Sequence, residues 1–125
     1  MTNWNPDELQ TFGDAEEIDI APRRSNGSLR PFTTIWAVRV GDDLYVRSFR
    51  GPDGGWYRRA RASGGARVRV GDHELDVDAS PARNDTDDAI TDAYQAKYSR
   101  YGESYLGPMT APGAVDSTLR LTPAT

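Results

Sequence analysis

Residues 33–49, TTIWAVRVGDDLYVRSF, constrain most strongly what this chain can fold into. β-Branched and aromatic residues fill two arms, and Gly41-Asp42-Asp43 interrupts them where the chain must reverse. Strand periodicity puts Thr34, Trp36, Val38 and Val40 on one face and Ile35, Ala37 and Arg39 on the other. The first arm is thus apolar on both faces, which predicts a place inside a sheet or barrel wall rather than at an edge. The second arm, 44–49, carries Arg47 and Ser48 toward a glycine-rich loop, 50–55 (RGPDGG), and function is expected there.

The flanking chain supplies more strands. Residues 16–21 (EEIDIA) alternate and predict a strand with Ile18 and Ile20 inward. Residues 67–78 predict a second hairpin whose register can be derived. A two-residue loop pairs Arg69 with Glu74 and Arg67 with Asp76, and a four-residue loop pairs them with Asp76 and Asp78. A three-residue loop would set Arg69 against Leu75, so the loop has an even length and the two arginines are structural. Residues 117–122 (STLRLT) alternate as a last strand, and 105–116, with two prolines and two glycines, predict a loop.

Two helices are expected. At the N-terminus Asn5 is a cap, Pro6 suits the first helical position, Glu8 falls three residues after the cap, and Trp4 and Leu9 occupy staple positions. Gly13 is the expected end of that helix. The long helix spans 85–101, capped by Asp85 or Thr86, with Asp87 and Asp88 at the positive end of its dipole and Gly102 as its stop. Tyr94, Tyr98 and Tyr101 form a stripe whose ordinary meaning is packing on the sheet.

Charge is unevenly distributed. Between Arg23 and Arg69 lie eleven arginines against three aspartates, a net +8, while the rest of the chain carries −12. These arginines either pair with the acidic flanks or form a site for phosphate or carboxylate, which a guanidinium fork matches. The turn PRRSNGS, 22–28, places Arg23, Arg24 and Ser25 beside the reversal signal Asn26-Gly27, so it is a candidate anion site. An acidic pI of about 4.9 argues against nucleic acid as a partner. The absence of cysteine and the single histidine, His73, exclude disulfides, thiolate chemistry and a His-rich metal site. No apolar run is long enough to span a bilayer, and residues 1–5 lack a leader pattern, so a soluble cytoplasmic protein is expected. The 125 residues suit a single domain, 1–125.

The run PRRSNGSLRPFTTIWAVRVGDDLYVRSFRGPDGGWYRRA resembles a family of uncharacterised small bacterial proteins known only as a domain of unknown function. That family is similar to FMN-binding split β-barrels, above all the deazaflavin-dependent nitroreductases, over roughly residues 18–79. Those reductases have a Gly-Arg-Lys/Arg-Ser/Thr-Gly turn, then a hairpin ending in a small residue before a glycine-rich loop, then Trp-Tyr. Here Arg23, Arg24, Ser25 and Gly27 lie in the first motif, with Pro22 in place of glycine and Asn26 inserted. Ser48 ends the hairpin, Trp56-Tyr57 matches the third motif, and Arg58-Arg59-Ala60 replaces the usual Asn-Leu.

The resemblance implies a mainly β fold: a split barrel of about six antiparallel strands, with a short N-terminal helix and one long helix packed across it. It implies FMN or deazaflavin as cofactor, with the phosphate on the basic turn and the ring over the barrel wall, and a homodimer. The cofactor-binding set it implies is Arg23, Arg24, Ser25, Gly27, Trp36, Ser48, Trp56, Tyr57 and Tyr98, with no catalytic side chain and no metal. Trp36, Ser48, Trp56 and Tyr98 are expected to border one pocket for a flat aromatic ligand. Two functions stay open. One is a flavin- or deazaflavin-dependent reductase of small electron-poor molecules such as quinones, enones or nitro compounds. The other is a non-catalytic ligand-binding or interaction protein on the same scaffold, with a small RNA-binding barrel as a more distant third.

Overall fold

The computed structural model describes residues 4–124, with the side chains of residues 52, 84, 103 and 105 outside that description. The leader reading of 1–5 thus lies largely outside the described residues. Seven antiparallel strands are joined in the order β2-β1-β5-β6-β7-β4-β3. They are β1 (Ile18–Pro22), β2 (Thr33–Ile35), β3 (Ala37–Val40), β4 (Asp43–Arg47), β5 (Gly65–Val70), β6 (His73–Pro81) and β7 (Thr118–Pro123). The two outermost strands of that order, β2 and β3, are neighbours in sequence with only Trp36 between them. They are one strand broken at Trp36, so six strands close into a nearly complete barrel that splits at this residue.

Alternation then sorts the side chains. Ile18, Ile20, Ile35, Ala37, Leu44, Val46, Val68, Val77, Leu119 and Leu121 share one buried core, to which helix α1 (Pro6–Asp14) adds Leu9 and Phe12 and helix α2 (Gly55–Ser63) adds Tyr57 and Ala60. Val38 and Tyr45, on the opposite strand face, pack against Ile90, Tyr94 and Tyr98 of helix α3 (Asp87–Tyr98) and against Leu106 and Met109 of helix α4 (Glu103–Thr110). The central hairpin is therefore buried on both faces, as its composition requires. Burying each of these large side chains stabilises the fold by about 1.5–3 kcal/mol.

Local chemistry explains the boundaries. Asn5 Oδ1 accepts from the Asp7 N–H at 2.8 Å with Pro6 at the first helical position, and both staple residues, Trp4 and Leu9, are buried. The second hairpin pairs Arg69 with Glu74 and Arg67 with Asp76 around the two-residue loop Gly71-Asp72, the shorter of the two even loops. Gly71 takes the positive φ such a loop demands, 58°.

Four expectations require correction. Gly13 lies inside α1 rather than ending it: a Cβ there would stand 3.0 Å from Arg39 Cβ, so close approach and not capping selects glycine. Residues 105–116 are largely helical, in α4 and in α5 (Pro112–Asp116). Leu106, Met109 and Ala114 bury one apolar side, and Pro112 sits at a helix start where its missing N–H costs nothing. Residues 55–63, given no element by the sequence pattern, form α2 and end at Gly64 in the left-handed conformation, φ 74°. The long helix is confined to α3, with 3₁₀ turns on either side at Asn84–Thr86 and Ser99–Tyr101, and Thr86 directs its hydroxyl to Arg83 O instead of capping.

Candidate functional site

The break at Trp36 has a specific cause. Continuing the β1–β2 register from Ile18↔Ile35 would bring residue 37 opposite residue 16. The Tyr98 hydroxyl occupies that gap: it donates toward Glu16 O at 2.8 Å and Ala37 O at 3.0 Å and accepts from the Ala37 N–H at 3.2 Å. Lys97 Nζ donates to the same Ala37 O at 2.6 Å and to Gly13 O at 2.8 Å, and Tyr94 reaches Trp36 O at 3.4 Å. Three side chains of α3 thus replace ladder hydrogen bonds along the seam, which keeps the opened backbone paired. The Tyr98 ring stacks on the Trp36 indole, centroids 4.0 Å apart and planes 2° apart, with Tyr101 tilted against it at 5.2 Å.

Trp36 also lines a cavity of about 840 Å³. One wall is Trp36 with Tyr101, and Thr33, Thr34 and Ile35 of β2 extend it. Arg47, Ser48, Phe49 and Arg50, from the end of β4 and the loop after it, form a second. Gly54, Gly55, Trp56 and Arg59, from the start of α2, form a third. Glu17 is the one acid in the described lining.

Of the four residues expected to border one pocket, Trp36, Ser48 and Trp56 line this cavity. Tyr98 lies behind Trp36, 1% exposed, and its hydroxyl is spent on the seam, with burial pushing its pKa well above the ordinary phenol value. Tyr57 points into the barrel core, where its hydroxyl accepts from Arg61 at 3.2 Å. Arg23, Arg24, Ser25 and Gly27 are not among the lining residues. Arg23 donates to Gly27 O at 2.7 Å and to Asp76 at 2.5 Å, while Arg24 donates to Leu29 O at 2.5 Å.

Sequence reasoning missed Arg50, Arg59, Tyr101 and Phe49. The last is 54% exposed although large and apolar, and it lies at the cavity. Arg50 and Arg59 lie in the basic segment, but nothing in their local pattern separates them from arginines that pair internally. Arg47 is the opposite case. It is 1% exposed and donates to Thr118 Oγ1 at 3.0 Å, Thr91 Oγ1 at 2.9 Å, Met109 O at 3.2 Å and Asp87 O at 3.1 Å. Burial lowers its pKa from the ordinary guanidinium value, and these neutral acceptors tie β4, β7, α3 and α4 together.

Ser48 is also 1% exposed, and its Oγ has no hydrogen-bond partner among the described residues. That oxygen lies against Gly54, where an added Cβ would approach it to 2.1 Å. Two indoles, an orphaned hydroxyl and two glycines fit a flat polycyclic ring carrying a few polar groups. Among the described residues no group of three or more potential metal ligands occurs, and no helix is long and apolar enough to cross a membrane.

The fold is shared widely with solved structures. HutZ, a heme storage protein from Vibrio cholerae, superposes with a TM-score of 0.64 at 12% identity, over 98% of this chain and 92% of that one. An F420-H2-dependent reductase, FDR-A, gives 0.62 at 17% identity over 87% and 95%. A FAD-binding protein from Mesorhizobium loti gives 0.57 at 14% identity over 100% and 93%. At these identities the likeness establishes the split-barrel fold alone. No curated protein matches the chain. The family model for an uncharacterized protein conserved in bacteria, DUF2255, matches residues 8–121. A match over nearly the whole chain leaves one conclusion: this protein belongs to the DUF2255 family.

Proposed function

We propose that the cavity binds a flavin or deazaflavin and that the protein is a reductase of small electron-poor molecules such as quinones, enones or nitro compounds. The observation that carries this reading is the meeting of Trp36 and Trp56, from elements twenty residues apart, on a single cavity of about 840 Å³. That volume lies within the range of cofactor pockets, about 300–1,000 Å³. When bound, the cofactor supplies hydride transfer, which asks for no acid or base from the protein.

The chain's own residues do the remaining work. Trp36, backed by Tyr98, offers a rigid face for a ring, and Trp56 offers a second apolar surface. Ser48 holds an unpaired hydroxyl at Gly54, where α2 begins. Gly54 and Gly55 add no side chain of their own, which leaves room for Ser48 Oγ and for Arg59 beside them. The heme of HutZ has no counterpart in this reading, because His73, the sole histidine, lies against Glu8 and Phe12 rather than on the cavity.

Titrating the purified protein with FMN and with reduced deazaflavin while following tryptophan fluorescence and visible absorbance tests the proposal. Saturable quenching, lost in Trp36→Ala, together with oxidation of the reduced cofactor by a quinone or nitro compound, is the expected result. Binding without turnover would leave a ligand-binding protein and end the reductase reading. No quenching at millimolar cofactor would end both.

A further inference from the structure

We infer that the end of the cavity where α2 begins is a phosphate-holding subsite built from Arg50, Arg59 and the first backbone N–H groups of α2, separate from the basic turn at 23–27. The inference rests on the reading of this cavity as a ligand site.

Helix α2 has nine residues and starts at Gly54 with no side-chain capping bond and no acidic residue in its first turn. Its leading N–H groups and the positive end of its dipole therefore meet no protein acceptor from a cap. Gly54, Gly55 and Trp56 line the cavity, so this helix end opens onto it. Arg59 lies over Gly55, its Nη1 3.5 Å from where a Cβ would stand, and Arg50 enters from the loop after β4. Among the described residues neither arginine has an ion pair or a side-chain hydrogen bond. A second observation stands apart from the helix end: Ser48 Oγ, fully buried and unpartnered, is pressed against the capping residue Gly54.

Two unspent guanidinium forks, free N–H groups and a hydroxyl donor make an array of donors with no acceptor of its own. A phosphate group, with its several acceptor oxygens and up to two charges, matches that array better than a single carboxylate does. Glu17, the one acid in the described lining, comes from the residue before β1, a different element from those that carry Arg50 and Arg59.

Affinities for FMN and riboflavin, which differ by one phosphate, are compared in the wild type, in Arg50→Ala/Arg59→Ala and in Arg23→Ala/Arg24→Ala, with inorganic pyrophosphate as a ring-free probe in thermal shift at fixed ionic strength. The expected result is that the wild type prefers FMN by about ten- to a hundredfold, the size of one or two charge-assisted hydrogen bonds. That preference collapses in Arg50→Ala/Arg59→Ala, partly returns in Arg50→Lys/Arg59→Lys, and persists when the turn is changed. Equal binding of the two flavins overturns the subsite and leaves the ring site standing, and loss of the preference only in the turn variant overturns it too. If neither flavin binds but pyrophosphate raises the wild-type melting temperature and not that of the cavity variant, the subsite stands and the flavin reading falls. Silence from all three probes removes both.

Discussion

The turn at 23–27 and the start of α2 are both basic and both rich in glycine or hydroxyl residues, yet they dispose of their arginines in opposite ways. In the turn, Arg23 and Arg24 are consumed by backbone carbonyls of the same loop and by Asp76. At α2, Arg50 and Arg59 face a cavity and meet no protein acceptor among the described residues. Local arginine density therefore does not mark a ligand site. An arginine is available to a ligand only where the fold fails to bring it a carbonyl or a carboxylate, and that is a property of topology.

Arg47 is the extreme of the spent class. Arg47→Met strands four acceptors in a buried region and is expected to cost about 2–4 kcal/mol in chemical denaturation. A loss below about 1 kcal/mol would mean that its hydrogen bonds do not hold the helices to the barrel. Next in size is the turn. Arg23→Ala/Arg24→Ala is expected to lower stability by about 1–2 kcal/mol, since the Asp76 pairing is partly exposed. The opposite outcome, unchanged stability with weakened phosphate binding, would restore the turn as the anion site. The smallest effect is at the cavity: Arg50→Ala/Arg59→Ala should shift stability by less than about 0.5 kcal/mol, as surface changes do. A clear drop in the melting temperature would show that these two arginines are held after all.

What was legible in the sequence is what short-range chemistry controls. The cap at Asn5 and the even length of the second hairpin's loop follow from contacts within a few residues, and the double burial of the central strand from its own apolar alternation. The meeting of Trp36, Ser48 and Trp56 follows from the hairpin and the glycine-rich loop that join them along the chain. The rest was set at a distance. Arg23 finds Asp76 across 53 positions of chain, and no local pattern announces it. Helices α4 and α5 hide behind Pro108, Pro112 and two glycines, residues that punctuate a sequence even when tertiary burial of Leu106, Met109 and Ala114 carries the helices through. A helix packed across the barrel, as the resemblance implies, would bring Tyr98 to the pocket, whereas the seam draws its hydroxyl away and Tyr101 lines the cavity.

The seam at Ala37 also makes the fold a proton-linked device. Lys97 holds two carbonyls and has no bonded carboxylate among the described residues, and burial lowers its pKa from 10.5 to about 8 against the weaker opposing pull of Asp14 and Glu16. Between those two values the folded chain has released a proton that the unfolded chain retains, so stability rises with pH across that window. Tyr94 and Tyr98, pushed up from 10.0 by burial, act in the reverse sense, because above pH 10 only the unfolded chain ionises them. Their combined effect is a stability maximum on the alkaline side, between about pH 8 and 10. Melting temperatures from pH 7 to 11 should climb and then fall, and Lys97→Met should remove the climb and keep the fall. A wild type whose stability declines steadily from pH 8 would mean that the amine, once neutral, no longer holds the barrel shut.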